Sequence, residues 1–197
     1  MPLIQEKERY TYADCLEWDE DFRAEIINGV VYAMSPPLTA HQIVSMNLSI
    51  EFGSYLRGKP CRVFAGPFGV RLSPKEDLSD NTVLEPDLVV VCDSSKIDKR
   101  GCNGAPDLII EILSPSNSRR DTLVKFNLYL DAGVREYWIV NPETQSVQVH
   151  ILDQGRYITT AYGIGDPEDP YREYTSDIVP VSVLPGLTID LKTIFPG

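Results

Sequence analysis

Apolar residues recur at two spacings along this 197-residue chain, and the switches between them lay out its elements. A short helix is predicted around Tyr12 to Trp18. Between Arg23 and Met34, Asn28-Gly29 separates two β-prone runs and supplies the two positive-φ residues of a type I′ turn, which predicts a hairpin. After Ser35-Pro36-Pro37 the period becomes helical, with His41, Val44, Leu48, Phe52 and Tyr55 on one face and Gly58 as the stop. Three strand candidates follow, Arg62 to Leu72, Val83 to Cys92 and Asp107 to Leu113. The last two flank a polar loop and are expected to pair as neighbours. Ser114 to Ser118 breaks the third strand and offers N-cap side chains to a helix over about 118–132, which Gly133 ends. Glu136 to Val140 and Val147 to Leu152 predict two more strands, joined by the turn Asn141-Pro142-Glu143-Thr144. Tyr162 to Thr175 reads as an acidic surface loop, and 181–191 as ordered again.

This order predicts a mixed α/β (α+β) fold, a central mixed sheet flanked by helices with an N-terminal hairpin, in one domain over 1–197. A composition of 43% hydrophobic and 24% charged residues suits a real core. No apolar run approaches the roughly 20 residues of a spanning helix, and the N-terminus has no signal-like apolar stretch. A soluble, cytoplasmic protein with no membrane partner is therefore expected. The net charge of −11 excludes a broad basic footprint of the kind that grips many phosphates at once. The cysteines at 15, 61, 92 and 102 form no Cys-x-x-Cys pair, and His41 and His150 are the only histidines. Zinc-finger and thioredoxin spacings are thereby excluded, and free thiols are expected.

Alternation along the strands puts Glu85, Asp87, Val89 and Val91 on one side of theirs and Asp107, Ile109, Glu111 and Leu113 on one side of the other. Asp87 and Glu111 are thus acids in strongly apolar strands, where a carboxylate needs a compensating positive charge. Two carboxylates from neighbouring strands, with a backbone carbonyl between them, suit a hard ion such as Mg²⁺. The alternative is that they cap a helix or pair with an arginine. On the next helix Asp121, Lys125 and Tyr129 form one polar stripe at i, i+4 and i+8. Lys125 either lies beside the acids or simply pairs with Asp121. His41 on its apolar helix face is either a satisfied core residue or part of the site, and Glu25 either joins the acids or pairs with a cation such as Arg23. Lys96, Lys99, Arg100, Arg119, Arg120 and Lys125 make 96–125 locally basic, the place expected to meet a polyanion.

Glu85-Pro86-Asp87 ahead of an apolar strand, followed by Glu111-Ile112-Leu113, resembles the PD-(D/E)XK nuclease superfamily. More closely, Glu25 to Pro37, His41 opening the next helix, Glu85 to Val91, Ile110 to Ser116, Lys125 with Tyr129, and Gly133 to Pro142 resemble the Uma-two group of restriction-endonuclease-like proteins. The likeness extends to Leu184-Pro-Gly-Leu187 and covers most of the chain. It implies a restriction-endonuclease-like core in which Asp87, Glu111 and the Ile112 carbonyl bind Mg²⁺ or Mn²⁺. Lys125 would assist the attacking water, with Glu25 and His41 at the rim of the same pocket. One departure stands out. The superfamily's Glu-x-Lys would place a lysine at 113, where this chain has leucine; in the Uma-two group the lysine lies on the following helix, which maps to Lys125.

Two functions follow from this reading. The first is a Mg²⁺-dependent endonuclease hydrolysing DNA phosphodiesters, working as a homodimer. The second is a catalytically silent nucleic-acid-binding or regulatory protein on the same fold, which the net charge and Leu113 favour. The acids retained on apolar strands favour the first.

Overall fold

Asn28 and Gly29 take φ values of 51° and 82°, so the predicted turn forms and joins β1 (Ala24–Ile27) to β2 (Val30–Ala33) in register. The computed structural model describes residues 7–19, 22–114, 119–165 and 174–195, leaving out the side chains of 119–121. Helix α1 (Tyr12–Cys15) precedes the hairpin. Helix α2 (Thr39–Leu56) buries Val44, Leu48, Phe52 and Leu56.

The run from Arg62 to Leu72 is not one strand. A cis Gly66-Pro67 bond divides it into β3 (Arg62–Ala65) and β4 (Gly69–Arg71), which lie in different sheets. The next expected strand is also shorter, because Pro86 has no N–H to give a ladder. β5 spans Leu88–Val91, while Val83 and Leu84 make isolated bridges to Ile26 and Val70. The polar loop after it holds β6 (Ile97–Asp98) and β7 (Gly101–Asn103), which with β4 form a small sheet. A Cβ at Gly101, whose φ is +144°, would collide with the Gly69 carbonyl, so this close approach needs glycine.

β8 (Leu108–Ile112) pairs antiparallel with β5, as expected. Helix α3 (Arg119–Ala132) then crosses to β9 (Glu136–Asn141), which runs parallel to β8. β10 (Ser146–Asp153) and β11 (Arg156–Gly163) complete a six-stranded mixed sheet in the order β11-β10-β9-β8-β5-β3. β11 takes Tyr162 and Gly163 out of the expected surface loop; residues 166–173 of that loop lie outside the described residues. β12 (Ile178–Pro180), β13 (Thr188–Asp190) and α4 (Leu191–Ile194) form the C-terminal part. Residues 115–118, read as a strand break and helix cap, also lie outside the described residues.

The sheet separates two apolar layers. One joins α2 and the C-terminal segment through Phe52, Trp138 and Ile189; the other joins α3 and the small sheet through Val89, Ile109, Tyr129 and Tyr137. Glu136, fully buried, accepts from the Trp138 indole and the Val183 amide at 2.8 Å each, which ties the C-terminal segment to β9. The expectation of free thiols fails at two positions. Cys61 and Cys92 lie one residue beyond the Arg62–Val91 pair of β3 and β5, directly opposite each other, and are joined in a disulfide. That opposition depends on strand register, to which cysteine spacing is blind. Cys15 and Cys102 are free.

His150 is 3% exposed, donates to or accepts from Thr159 Oγ1 at 2.8 Å, and packs among Phe126, Tyr137 and Tyr157. Burial depresses its pKa from 6.5 to about 4. Between these values the unfolded chain binds a proton that the folded chain refuses, so stability is lost as pH falls through that window. His150→Phe is expected to remove about 2–4 kcal/mol of this acid dependence. Urea unfolding of both proteins at neutral and mildly acid pH measures it, and parallel losses would refute it.

Candidate functional site

Where Pro86 ends the backbone ladder, a side chain replaces it. Asp87 stands one residue before the Leu88–Ile110 pair, opposite Glu111, and its Oδ2 accepts from the Ile112 amide at 2.8 Å. Its other oxygen, Oδ1, is 3.1 Å from His41 Nε2. His41 lies in the first turn of α2, ahead of the Val44 stripe, so the helix that covers one face of the sheet delivers an imidazole to the strand ends. Burial alone would depress the His41 pKa; the bond and charge of Asp87, then Glu111 and the Ile112 carbonyl, outweigh it and raise the pKa above the ordinary value. Its Nδ1 is buried without a hydrogen-bond partner among the described residues.

Glu111 points under α3. Its Oε1 accepts from Tyr129 Oη at 2.6 Å and from Lys125 Nζ at 2.9 Å. Lys125 and Tyr129 are one helical turn apart, and both reach the same oxygen because α3 packs its apolar residues on the sheet beneath. Lys125 Nζ also donates to Glu25 Oε1 at 2.9 Å, and that oxygen accepts from the Glu85 amide at 3.0 Å. The hairpin strand is buried along its length, which brings Glu25 inward; Arg23 pairs with Glu85 instead, at 2.9 Å. The result is a continuous chain of charges, Glu25, Lys125, Glu111, Asp87 and His41, drawn from the hairpin, α3, β8, the start of β5 and α2.

The electrostatics are those of a crowded, poorly hydrated acid cluster. Burial pushes the Glu111 carboxyl up to about 7; Lys125 pulls it down, while Glu25 and Asp87 push it further up. Burial opposes the Lys125 cation, but the Glu111 and Glu25 carboxylates overcome it and hold its pKa above the usual lysine value. The Tyr129 phenol is raised well above its ordinary value, first by burial and then by the same two acids, so it serves as a donor.

Among the described residues no group of three or more His, Cys, Asp and Glu side chains could by itself hold a metal ion. Asp87, Glu111 and the Ile112 carbonyl are hard oxygen donors of the kind that a small divalent cation takes. Mg²⁺ commonly takes one or two carboxylates and keeps several waters. The five predicted side chains, Asp87, Glu111, Lys125, Glu25 and His41, are thus brought together, with Ile112 between the two acids. The Asp121 side chain, the alternative partner of Lys125, lies outside the described residues. Tyr129, read as part of a stripe and of the family resemblance but given no role, is the residue whose contact with Glu111 the sequence did not reveal; its i+4 spacing from Lys125 was the available signal.

The locally basic segment is not a cationic surface at this centre. Lys125 is neutralised by two acids, and Lys96 donates to the Ala105 carbonyl at 2.8 Å. Lys99 and Arg100 are exposed on the small sheet, and the side chains of Arg119 and Arg120 lie outside the described residues. No described helix is long and apolar enough to cross a membrane.

Comparison with known proteins agrees with this fold. A crystal structure of "a putative nuclease belonging to DUF820" from Anabaena variabilis superposes with a TM-score of 0.71 at 23% identity, covering 94% of this chain and 97% of that one. An uncharacterized protein of Synechocystis sp. is 26% identical over 155 residues, 77% of this chain and 79% of the relative. The model of the Uma2 family, described as "Putative restriction endonuclease", matches residues 12–192. With nearly its whole length matched, this chain belongs to the Uma2 family.

Proposed function

We propose that this protein is a divalent-metal-dependent endonuclease that hydrolyses phosphodiester bonds in DNA. The observation that carries the reading is the position of Lys125 Nζ, 2.9 Å from both Glu25 and Glu111 at the strand ends where Asp87 stands. Asp87, Glu111 and the Ile112 carbonyl would hold Mg²⁺ or Mn²⁺, which when bound supplies Lewis acidity and a more acidic water.

The chain's own groups do the rest. Lys125 carries a cation to Glu25 and Glu111, where it balances charge building on the phosphate oxygens and orients the attacking water. Glu25 fixes the ammonium from the far side, and Tyr129 fixes Glu111 through Oε1. His41 and the Ile112 amide each take one oxygen of Asp87, so that carboxylate cannot rotate. In the reaction the water oxygen bonds to phosphorus, one P–O ester bond breaks, and the water's proton leaves to the medium as the leaving oxygen gains one.

Leu113 and the net charge of −11 favour a second reading, a protein that binds nucleic acid without cutting it. Supercoiled plasmid and single-stranded circular DNA, each with Mg²⁺ or Mn²⁺ and with chelator, separate the two. Cleavage that requires the ion is expected. Binding with no cleavage of either DNA would overturn the nuclease reading.

A further inference from the structure

A cavity of about 460 Å³ opens beside the acidic centre, between the start of α2 and the end of β9. Its apolar walls are Leu38, Leu113 and Pro142; Asn141 and Glu143 supply polar groups, and His41 is shared with Asp87. The volume lies in the range of small-ligand sites. Leu113 is the residue that stands where a Glu-x-Lys motif would have lysine, and here it faces a cavity instead of presenting a charge.

Three observations restrict the occupant. Glu143 is a carboxylate, which repels a phosphate but accepts from ring N–H and exocyclic amino groups. Asn141 Oδ1 already accepts from the Glu143 and Thr144 amides, at 2.9 and 3.3 Å, so whatever Asn141 offers a ligand comes from its amide nitrogen. A donor and an acceptor flanked by apolar walls match the edge and faces of a nucleobase. Finally, a chain of net charge −11 cannot hold duplex DNA through many phosphate contacts, so binding energy has to come from elsewhere. A base seated in a pocket supplies it, and that base must be unpaired to enter.

We propose that this cavity receives the unpaired base of a nucleotide adjoining the cleaved linkage, and that the substrate class is single-stranded or locally unpaired nucleic acid. The proposal rests on the nuclease reading for the word "cleaved", while the base-binding part stands apart from catalysis. Because the pocket shares His41 with the centre, a seated base leaves its own phosphate within reach of Asp87 and Glu111.

The test uses the full chain and Ala40→Trp, which places an indole on an exposed lining position and is checked for unchanged thermal unfolding. Calorimetry with the four deoxynucleoside 5′-monophosphates, against deoxyribose 5-phosphate, reads base recognition directly. At least one nucleotide is expected to bind about tenfold or more tighter than the sugar phosphate, with that margin lost in Ala40→Trp. With Mn²⁺, a single-stranded oligonucleotide is expected to be cut at least about tenfold faster than its duplex, and Ala40→Trp to raise KM for the single strand. Nucleotides binding no tighter than the sugar phosphate, or equal cutting of both forms, overturns the pocket and leaves the nuclease reading intact. Base-dependent binding, blocked by Ala40→Trp, in a protein that cuts nothing upholds the pocket and removes the nuclease.

Discussion

Lys125→Met is expected to abolish DNA nicking, by about 10²–10³-fold or more, and to lower stability by about 3–5 kcal/mol. Both effects have one origin. The lysine side chain is 14% exposed and its ammonium lies between carboxylates that are 9% and 8% exposed. Removing it leaves two buried anions without a counter-charge, and the Glu111 carboxyl, already at about 7, has lost the group that held it down. Loss of activity alone would not separate chemistry from folding, so Lys125→Arg is the companion. Arginine restores the charge and most of the stability, but its planar fork cannot place one compact nitrogen between Glu25 Oε1 and Glu111 Oε1. Urea midpoints should therefore recover in the arginine variant while nicking stays low. An arginine variant that nicks like the wild type would make Lys125 a structural counter-charge, and a methionine variant that nicks would remove it from the mechanism.

What the sequence reveals about the fold is what local chemistry controls. Asn28-Gly29 makes its turn because both residues tolerate positive φ, and the Val44, Leu48, Phe52 spacing makes its helix because only one face can be buried. The pairing of β5 with β8 follows from two apolar runs with a polar connection. The failures arise where a partner distant in sequence decides. Arg62 to Leu72 reads as continuous, yet Gly69 to Arg71 leaves to pair with Gly101 to Asn103. Tyr157 to Tyr162 mixes polar and apolar residues too evenly to stand out, and becomes a strand because β10 offers it an edge. The Cys61–Cys92 bond is likewise a property of register.

The centre shows the same division. Alternation alone groups Asp87 with Val89 and Glu111 with Ile109, each within its own strand, and helical spacing alone links Lys125 to Tyr129; that the two acids share a face follows from the pairing of Val89 with Ile109. Neither says that α3 lies over β8 in the register that brings Lys125 Nζ to Glu111, nor that the hairpin carries Glu25 to the same nitrogen; those depend on the packing of four elements. Glu136 marks the limit of arguing from buried acids. It is at least as buried as Glu111, but the Trp138 indole and the Val183 amide satisfy it, and it forms no salt bridge among the described residues. A buried acid becomes a candidate for chemistry when its neighbours are charges, and remains a structural clasp when they are neutral donors.

Asp87→Asn is expected to eliminate the heat of Mn²⁺ binding, corresponding to a loss of about 100-fold or more in affinity, since changes to groups that merely support a ligand cost about 10–100-fold. Asparagine is chosen over alanine for a physical reason. Its amide oxygen can still accept from the Ile112 amide, so the interrupted ladder between β5 and β8 stays closed and thermal unfolding should shift little. What disappears is the negative charge that a hard cation requires. Equal heats for the two proteins would place any ion elsewhere, and Asp87 would then be an acceptor that repairs the ladder after Pro86. Heat in the wild type without cleavage of any DNA would keep the ion site and remove the hydrolysis. Calorimetry thus divides the centre in two, because Asp87 would act on the ion, whereas Lys125 has two of its three N–H donors on Glu25 and Glu111 and would act through the third on what approaches it. The methionine variant at 125 should accordingly lose nicking while still binding Mn²⁺, and loss of the heat in both variants would show the lysine and the acids to be one structural unit.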